Sequence, residues 1–116
     1  MEKVKRSLTD FERGVIIGLL VGEGHFGGDG RQPHILIKMR VRHQPLLEWL
    51  GARIPGAKLY GPYNHGGRHY SQLMVRGRPL LDFVLGLIAD SRWWEIDPHS
   101  HQRLRGMIDR YMAPGG

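Results

Sequence analysis

The first sustained pattern in the chain is helical. Phe11, Val15, Ile16, Leu19 and Leu20 recur at the spacing of one apolar stripe. Thr9-Asp10-Phe11-Glu12 has the form of a capping box, with Thr9 as N-cap and Glu12 reaching back. Together they predict a helix from about Asp10 to Gly22. A glycine-rich stretch, 25–32, reads as a short strand and a turn. A period of two then takes over. Ile35, Ile37, Met39 and Val41 are apolar, whereas His34, Lys38, Arg40 and Arg42 are polar, with Leu36 the exception. This alternation predicts a strand over His34–His43, one face in the core and the other in solvent or on a ligand. Pro45 opens a second helix that stops near Pro55-Gly56. Lys58–Tyr63 and Arg68–Arg76 read as a hairpin around Asn64-His65-Gly66-Gly67. Arg78-Pro79 introduces a third helix, Leu80 to about Asp90. Ser91–Pro98 reads as a loop and Ser100–Tyr111 as a last helix.

The order α-β-β-α-β-β-α-α implies an α+β fold: a four-stranded antiparallel sheet with helices on one face. Its two αββ units form a weak internal repeat. At 116 residues the chain is expected to be a single domain, 1–116, with flexible ends at about 1–7 and 113–116.

Charge changes the picture more than composition does. The net charge is +6, from 17 Lys and Arg against 11 Asp and Glu. Residues 31–78 hold Arg31, Lys38, Arg40, Arg42, Arg53, Lys58, Arg68, Arg76 and Arg78 against the single acid Glu48. The flanking stretches each carry a slight acidic excess. Positive charge confined to the middle of the chain points to a polyanion that touches this region, and nucleic acid is the economical partner. Cysteine is absent, so any metal must be held by oxygen or imidazole. No apolar run approaches a membrane span and no secretory signal is evident, so the expected location is intracellular, in cytoplasm, nucleoid or an organelle matrix.

Gly14, Gly18 and Gly22 recur every four residues and so lie along one helix face. Each mid-helix glycine costs about 0.5–1 kcal/mol relative to alanine. The row therefore calls for a close-packed neighbour, either a symmetric copy of the helix or the protein's own sheet. Glu23 follows at the helix C-terminus, where the dipole disfavours an anion. In a twofold pair two such carboxylates would repel unless a proton or a cation lay between them. Hard oxygen ligands of this kind suit Mg²⁺.

At these residues the sequence resembles the LAGLIDADG homing endonuclease family. Ile16-Ile17-Gly18-Leu19-Leu20-Val21-Gly22-Glu23-Gly24 matches the signature position by position, with Gly18, Leu19 and Gly24 identical. Glu23 stands at the family's metal-binding acid, Gly22 replaces Ala, and Val21 replaces the first Asp. With the element order, the basic strand and Arg78-Pro79, the likeness covers roughly residues 8–112. It implies a homodimer joined through Gly14, Gly18, Leu19 and Gly22, since the chain carries one copy of the motif. It implies Mg²⁺ (or Ca²⁺ or Mn²⁺ in its place) held by Glu23 and the Gly22 carbonyl. It implies cleavage of both strands of a long, near-palindromic duplex, as in intron or intein mobility. His43, at the place of a family polar residue, is the candidate for positioning water. His99 falls near the place of a family Lys that this chain lacks, with Arg92 and Arg76 as alternatives. DNA contacts are expected from His34, Lys38, Arg40 and Arg42, and from Lys58 and Tyr60. Arg68 is expected on phosphate. For the last strand, register against the family puts His69 and Ser71 on the DNA, rather than Tyr70, Gln72 and Met74.

A non-catalytic relative that keeps the fold, a transcription factor or an intron maturase binding DNA or RNA, is the alternative. Retention of Glu23 favours the enzyme, and the missing Lys favours the alternative. A structural RNA-binding protein would explain the charge but not the acid. His65 with His69, and His99 with His101, lack the spacing of a zinc site. Trp93-Trp94 reads as a plug over the core. His25 either starts a strand or approaches the scissile region.

Overall fold

The period-two and helical patterns become a sheet with helices on one side. The computed structural model describes residues 8–89 and 91–112; the ends expected to be flexible lie outside them. The elements run α1 (Asp10–Glu23), β1 (His25–Gly28), β2 (Pro33–Arg40), α2 (Gln44–Gly51), β3 (Lys58–His65), β4 (Arg68–Arg76), α3 (Arg78–Ala89), α4 (Trp93–Ile96) and α5 (Pro98–Met112). The strands form one antiparallel sheet in the order β1-β2-β4-β3. The expected fold class is therefore found.

Three boundaries differ from expectation. β2 ends at Arg40, because Val41–His43 tightens into a 3₁₀ turn that feeds α2. Arg42 and His43 consequently leave the strand's alternation. The segment expected as a loop holds α4. The hairpin turn shortens to Gly66-Gly67, whose φ angles of 59° and 83° are those a two-residue turn needs and side chains resist.

The inner face of the sheet builds the core. Ile35 and Ile37 of β2 lie beside Val75 and Leu73 of β4, all four buried. Ile16 and Leu20 of α1, Leu47 and Leu50 of α2, Leu80, Leu81 and Val84 of α3, and Leu104 and Ile108 of α5 cover them. Trp93 is the expected plug: it is fully buried, meets Phe26 edge to face at 5.9 Å, and donates through Nε1 to Ser100 Oγ at 2.8 Å. Trp94 beside it is exposed.

Polar locks hold the helices to this core. Thr9 N–H donates to Glu12 Oε1 at 2.9 Å while Glu12 N–H donates to Thr9 Oγ1 at 3.1 Å, the capping box the sequence predicts. The second carboxylate oxygen of Glu12 accepts from Arg53 Nε at 2.9 Å, and Glu12 is only 6% exposed. Arg53 also donates to the Trp49 carbonyl and lies 4.0 Å over the Trp49 ring. One of the central basic residues is thus structural. It ties the start of α1 to the end of α2.

At the opposite edge, Asp29 Oδ1 accepts the N–H groups of Arg31 and Gln32 at 2.8 and 2.9 Å. These bonds, that from Gln32 first, hold its carboxyl below the ordinary value of 3.8. The Gly30 N–H donates to Tyr111 Oη at 3.0 Å, so the end of α5 pins the same turn.

Two outcomes follow from these locks. Glu12→Ala strands the half-buried Arg53 and removes the box, and is expected to cost about 3 kcal/mol in urea denaturation, with an unchanged m-value. Because the folded pKa of Asp29 is the lower one, its stabilisation is complete above the ordinary value and is lost only as pH falls through the folded value. The Arg31 and Gln32 amide shifts should therefore titrate in NMR with a midpoint below 3.8. A midpoint at or above it would contradict the turn.

Candidate nucleic-acid interface

With the helices on the inner side, every second strand residue points to an open face. Register sorts that face into rows across the sheet. His34 of β2 is opposite Arg76 of β4, Leu36 opposite Met74, Lys38 opposite Gln72, and Arg40 opposite Tyr70. On the far side, β3 sets Lys58 beside Met74, Tyr60 beside Gln72, Tyr63 beside Tyr70, and His65 beside Arg68. On the near side, β1 sets His25 beside Leu36. None of these positions is acidic.

The side chains organise one another. Lys38 Nζ lies 4.9 Å over the Tyr70 ring. Tyr70 packs at 5.4 Å on Tyr63, its cross-strand partner, and at 5.9 Å on His65. Arg76 Nη2 reaches Met74 Sδ at 2.7 Å. Two cations of the face, Lys38 and Arg76, are thus braced on a ring and a sulfur, and Lys38, Arg40, Lys58, Arg68 and Arg76 are all exposed.

His34, Lys38, Arg40, Lys58, Tyr60 and Arg68 all lie on this open face, where the alternation placed them. Two expectations need correction. Ser71 is fully buried, and its hydroxyl donates to Gln44 Oε1 at 2.6 Å, so it belongs to the helix side. Tyr70, Gln72 and Met74 take the open face instead. His69 shares the Ser71 side but is exposed near the hairpin turn. Arg42 is exposed on the 3₁₀ turn, off the strand face. The outward signal in β4 was its own charge. Arg68 and Arg76 share the parity of Tyr70, Gln72 and Met74, whereas Leu73 and Val75 share that of Ser71.

Glu23 ends α1, and Gly24 turns the chain directly into β1. Gly24 N–H donates to the Leu20 carbonyl at 3.0 Å. A Cβ at Gly24 would sit 2.6 Å from that oxygen, so the tight joint requires glycine. β1 starts opposite Leu36 and runs antiparallel to β2, so the chain leaves the sheet toward Lys38 and Arg40. Glu23 therefore stands exposed at the margin of the basic face. His25, two residues on, lies on that face. His43 ends the 3₁₀ turn and His99 lies in the first turn of α5, both exposed.

Among the described residues no group of three or more His, Asp or Glu could hold a metal ion, so one chain does not assemble Glu23, His43 and His99 into a centre. What one chain offers is a carboxylate and the last carbonyls of α1, which have no partners within the helix. Oxygen donors of that kind suit Mg²⁺, Mn²⁺ or Ca²⁺.

The glycine row of α1 is open. Gly14, Gly18 and Gly22 are exposed, and a Cβ at any of them would meet nothing within 4 Å. Packing on the protein's own sheet therefore does not account for the row. A shallow groove runs along it, lined by Ile17 and Val21 and flanked by Ile96 of α4. Phe11, on the same helix, is 74% exposed. No helix of the described residues is long and apolar enough to cross a membrane.

No family model and no curated protein matches the chain. Among solved structures, it is similar to the LAGLIDADG homing endonuclease I-LtrWI bound to its target DNA. The TM-score is 0.54 at 10% identity, over 95% of this chain and 46% of that one. The chain thus spans about half the length of that endonuclease. A likeness at this identity is one of fold: the chain has a LAGLIDADG-like α+β fold.

Proposed function

We propose that the chain is a metal-dependent, site-specific DNA endonuclease of the LAGLIDADG type, working as a pair of identical chains joined along α1. The observation that carries this is the open sheet face. Every strand position on it is basic, aromatic, apolar or neutral, none is acidic, and an exposed carboxylate stands at its margin. A surface of one sign without acids attracts a polyanion. The structural neighbour holds DNA and is about twice as long, which is the relation expected of one chain that does alone what two of these do together.

Pairing along the open glycine row would bring two Glu23 carboxylates and two Gly22 carbonyls together. A bound Mg²⁺ there would activate water and stabilise the leaving 3′ oxygen. Glu23 would hold the metal. The strand face holds the duplex in register, and Arg68 and Arg76 contact phosphate at its margins. His43 and His99, exposed at helix starts, would orient the attacking water.

Cleavage selection on a randomised duplex library with Mg²⁺ is expected to enrich a near-palindromic site. Glu23→Gln should abolish cleavage and leave the dissociation constant within about threefold. The lone carboxylate per chain favours a second reading, a non-catalytic DNA-binding relative; a wild-type chain that enriches a bound site but never cuts it would establish that one.

Pairing has its own test. Gly18→Trp starts from an open position of one chain, so the variant should keep the wild-type circular-dichroism spectrum, its unfolding midpoint falling only by what pairing contributes. It should also convert a sedimenting dimer to monomer at micromolar concentration. A wild-type chain that sediments as a monomer would sink the interface.

A further inference from the structure

The rows of the open face differ in chemistry in a way that has consequences for sequence preference, and the inference rests on the DNA-binding reading above. Most of the face is cationic or aromatic, but three of its central residues, Leu36, Met74 and Gln72, are neither. Leu36 and Met74 are direct cross-strand partners on the two middle strands, and both are half-buried though no helix covers them. Arg76 lies against the Met74 sulfur and His25 is beside Leu36, so a small apolar window is framed by polar groups. One row further along β2 and β4, Lys38 is opposite Gln72. The Lys38 ammonium rests over Tyr70, which limits where it can point. The arginines and Lys58 lie towards the ends and outer strand of this four-residue centre.

Groove chemistry matches these two rows. The one apolar feature in the major groove is the thymine methyl, and aliphatic side chains take it. Lys pairs with guanine O6 and N7, and Gln pairs bidentately with adenine N6 and N7. Peripheral cations meet phosphates and carry no sequence information. Successive outward rows are two residues apart, about 6.7 Å along a strand. Stacked nucleotides rise about 3.4 Å each, so for strands laid along the duplex one row-to-row step equals roughly two base-pair steps.

We propose that Leu36 with Met74 and Lys38 with Gln72 form a two-row reader of duplex DNA. The first row takes a thymine methyl. The second takes a purine edge two base-pair steps away. Specificity is concentrated in these four residues, while Arg40, Lys58, Arg68 and Arg76 supply affinity.

The test is binding selection from a randomised duplex library without divalent metal, followed by titration of the selected duplex. The expected consensus has, in each half-site, a thymine two steps from a guanine or adenine. Replacing that thymine by deoxyuridine removes only the methyl and should weaken wild-type binding about fourfold; this arm needs no variant. Leu36→Ala should abolish the difference between thymine and uracil. Lys38→Met should relax the purine position, a loss of about tenfold in discrimination. Arg68→Ala should instead weaken all duplexes alike and lower the salt slope by about one.

A consensus without the spaced pair, or uracil bound as tightly as thymine, would overturn the two-row reader. So would measurable duplex binding with no enriched sequence, although DNA binding itself would then stand. Failure to bind any duplex at low salt would overturn the DNA-binding reading as well.

Discussion

The constraint on which this structure depends is that its sheet is covered on one side only. Ile35, Ile37, Leu73 and Val75 are sealed under the helices, and that burial fixes the register of β2 against β4. A slip of one residue would put Lys38 and Arg40 in the core and Ile37 and Met39 in solvent. Packing the inner face therefore also decides which residues stand together on the outer one. What stands there is unusual for a solvated sheet. Neighbouring cations on adjacent strands destabilise one another, and an ordinary face mixes signs. Here the mutual repulsion is softened by Tyr70 under Lys38 and Met74 under Arg76, and no acid intervenes. The face is a preformed positive surface, with side chains held before any partner arrives.

The helix α1 serves three neighbours at once, and its sequence is divided accordingly. Ile16 and Leu20 face the core. Glu12 locks the helix start to α2 through Arg53, and Gly24 caps the Leu20 carbonyl at a joint that admits no Cβ. Both ends of the helix are thus held, and Glu23 occupies a defined place although it is exposed. The remaining side carries Gly14, Gly18 and Gly22 with open space in front of them. An isolated chain gains nothing from these glycines, because alanine at each would fit and favour the helix.

Much of this was legible in the sequence, and the failures have a common cause. The capping box, the order of elements and the parity of β2 follow from local spacing, which a single strand or helix satisfies by itself. β4 is different. Both of its parities hold apolar residues, Leu73 and Val75 on one, Tyr70 and Met74 on the other. Which side is buried depends on the partner strand rather than on β4. The two arginines at its ends were the available signal, because a charged terminus cannot face the core. Arg53 is the converse case. Composition counts it with the nucleic-acid-binding charge, yet a buried carboxylate 41 positions earlier claims it. Such long-range pairing leaves no mark in local spacing.

The placement of acid and base on this chain also separates recognition from chemistry. A carboxylate within the open face would lower affinity for a polyanion wherever it stood, so acid is tolerable only where a cation can neutralise it. The α1–β1 joint is such a place. It lies at the margin of the face, next to terminal helix carbonyls that also need a partner, and toward the side from which a second α1 could approach. A single carboxylate at a helix C-terminus, facing its dipole, is a poor cation site, which is why the proposed metal site calls for a pair of chains. Two of them converging make an attractive one. The core fixes where the open face lies, the glycine row leaves room for a second chain, and Glu23 is the residue that stands next to both.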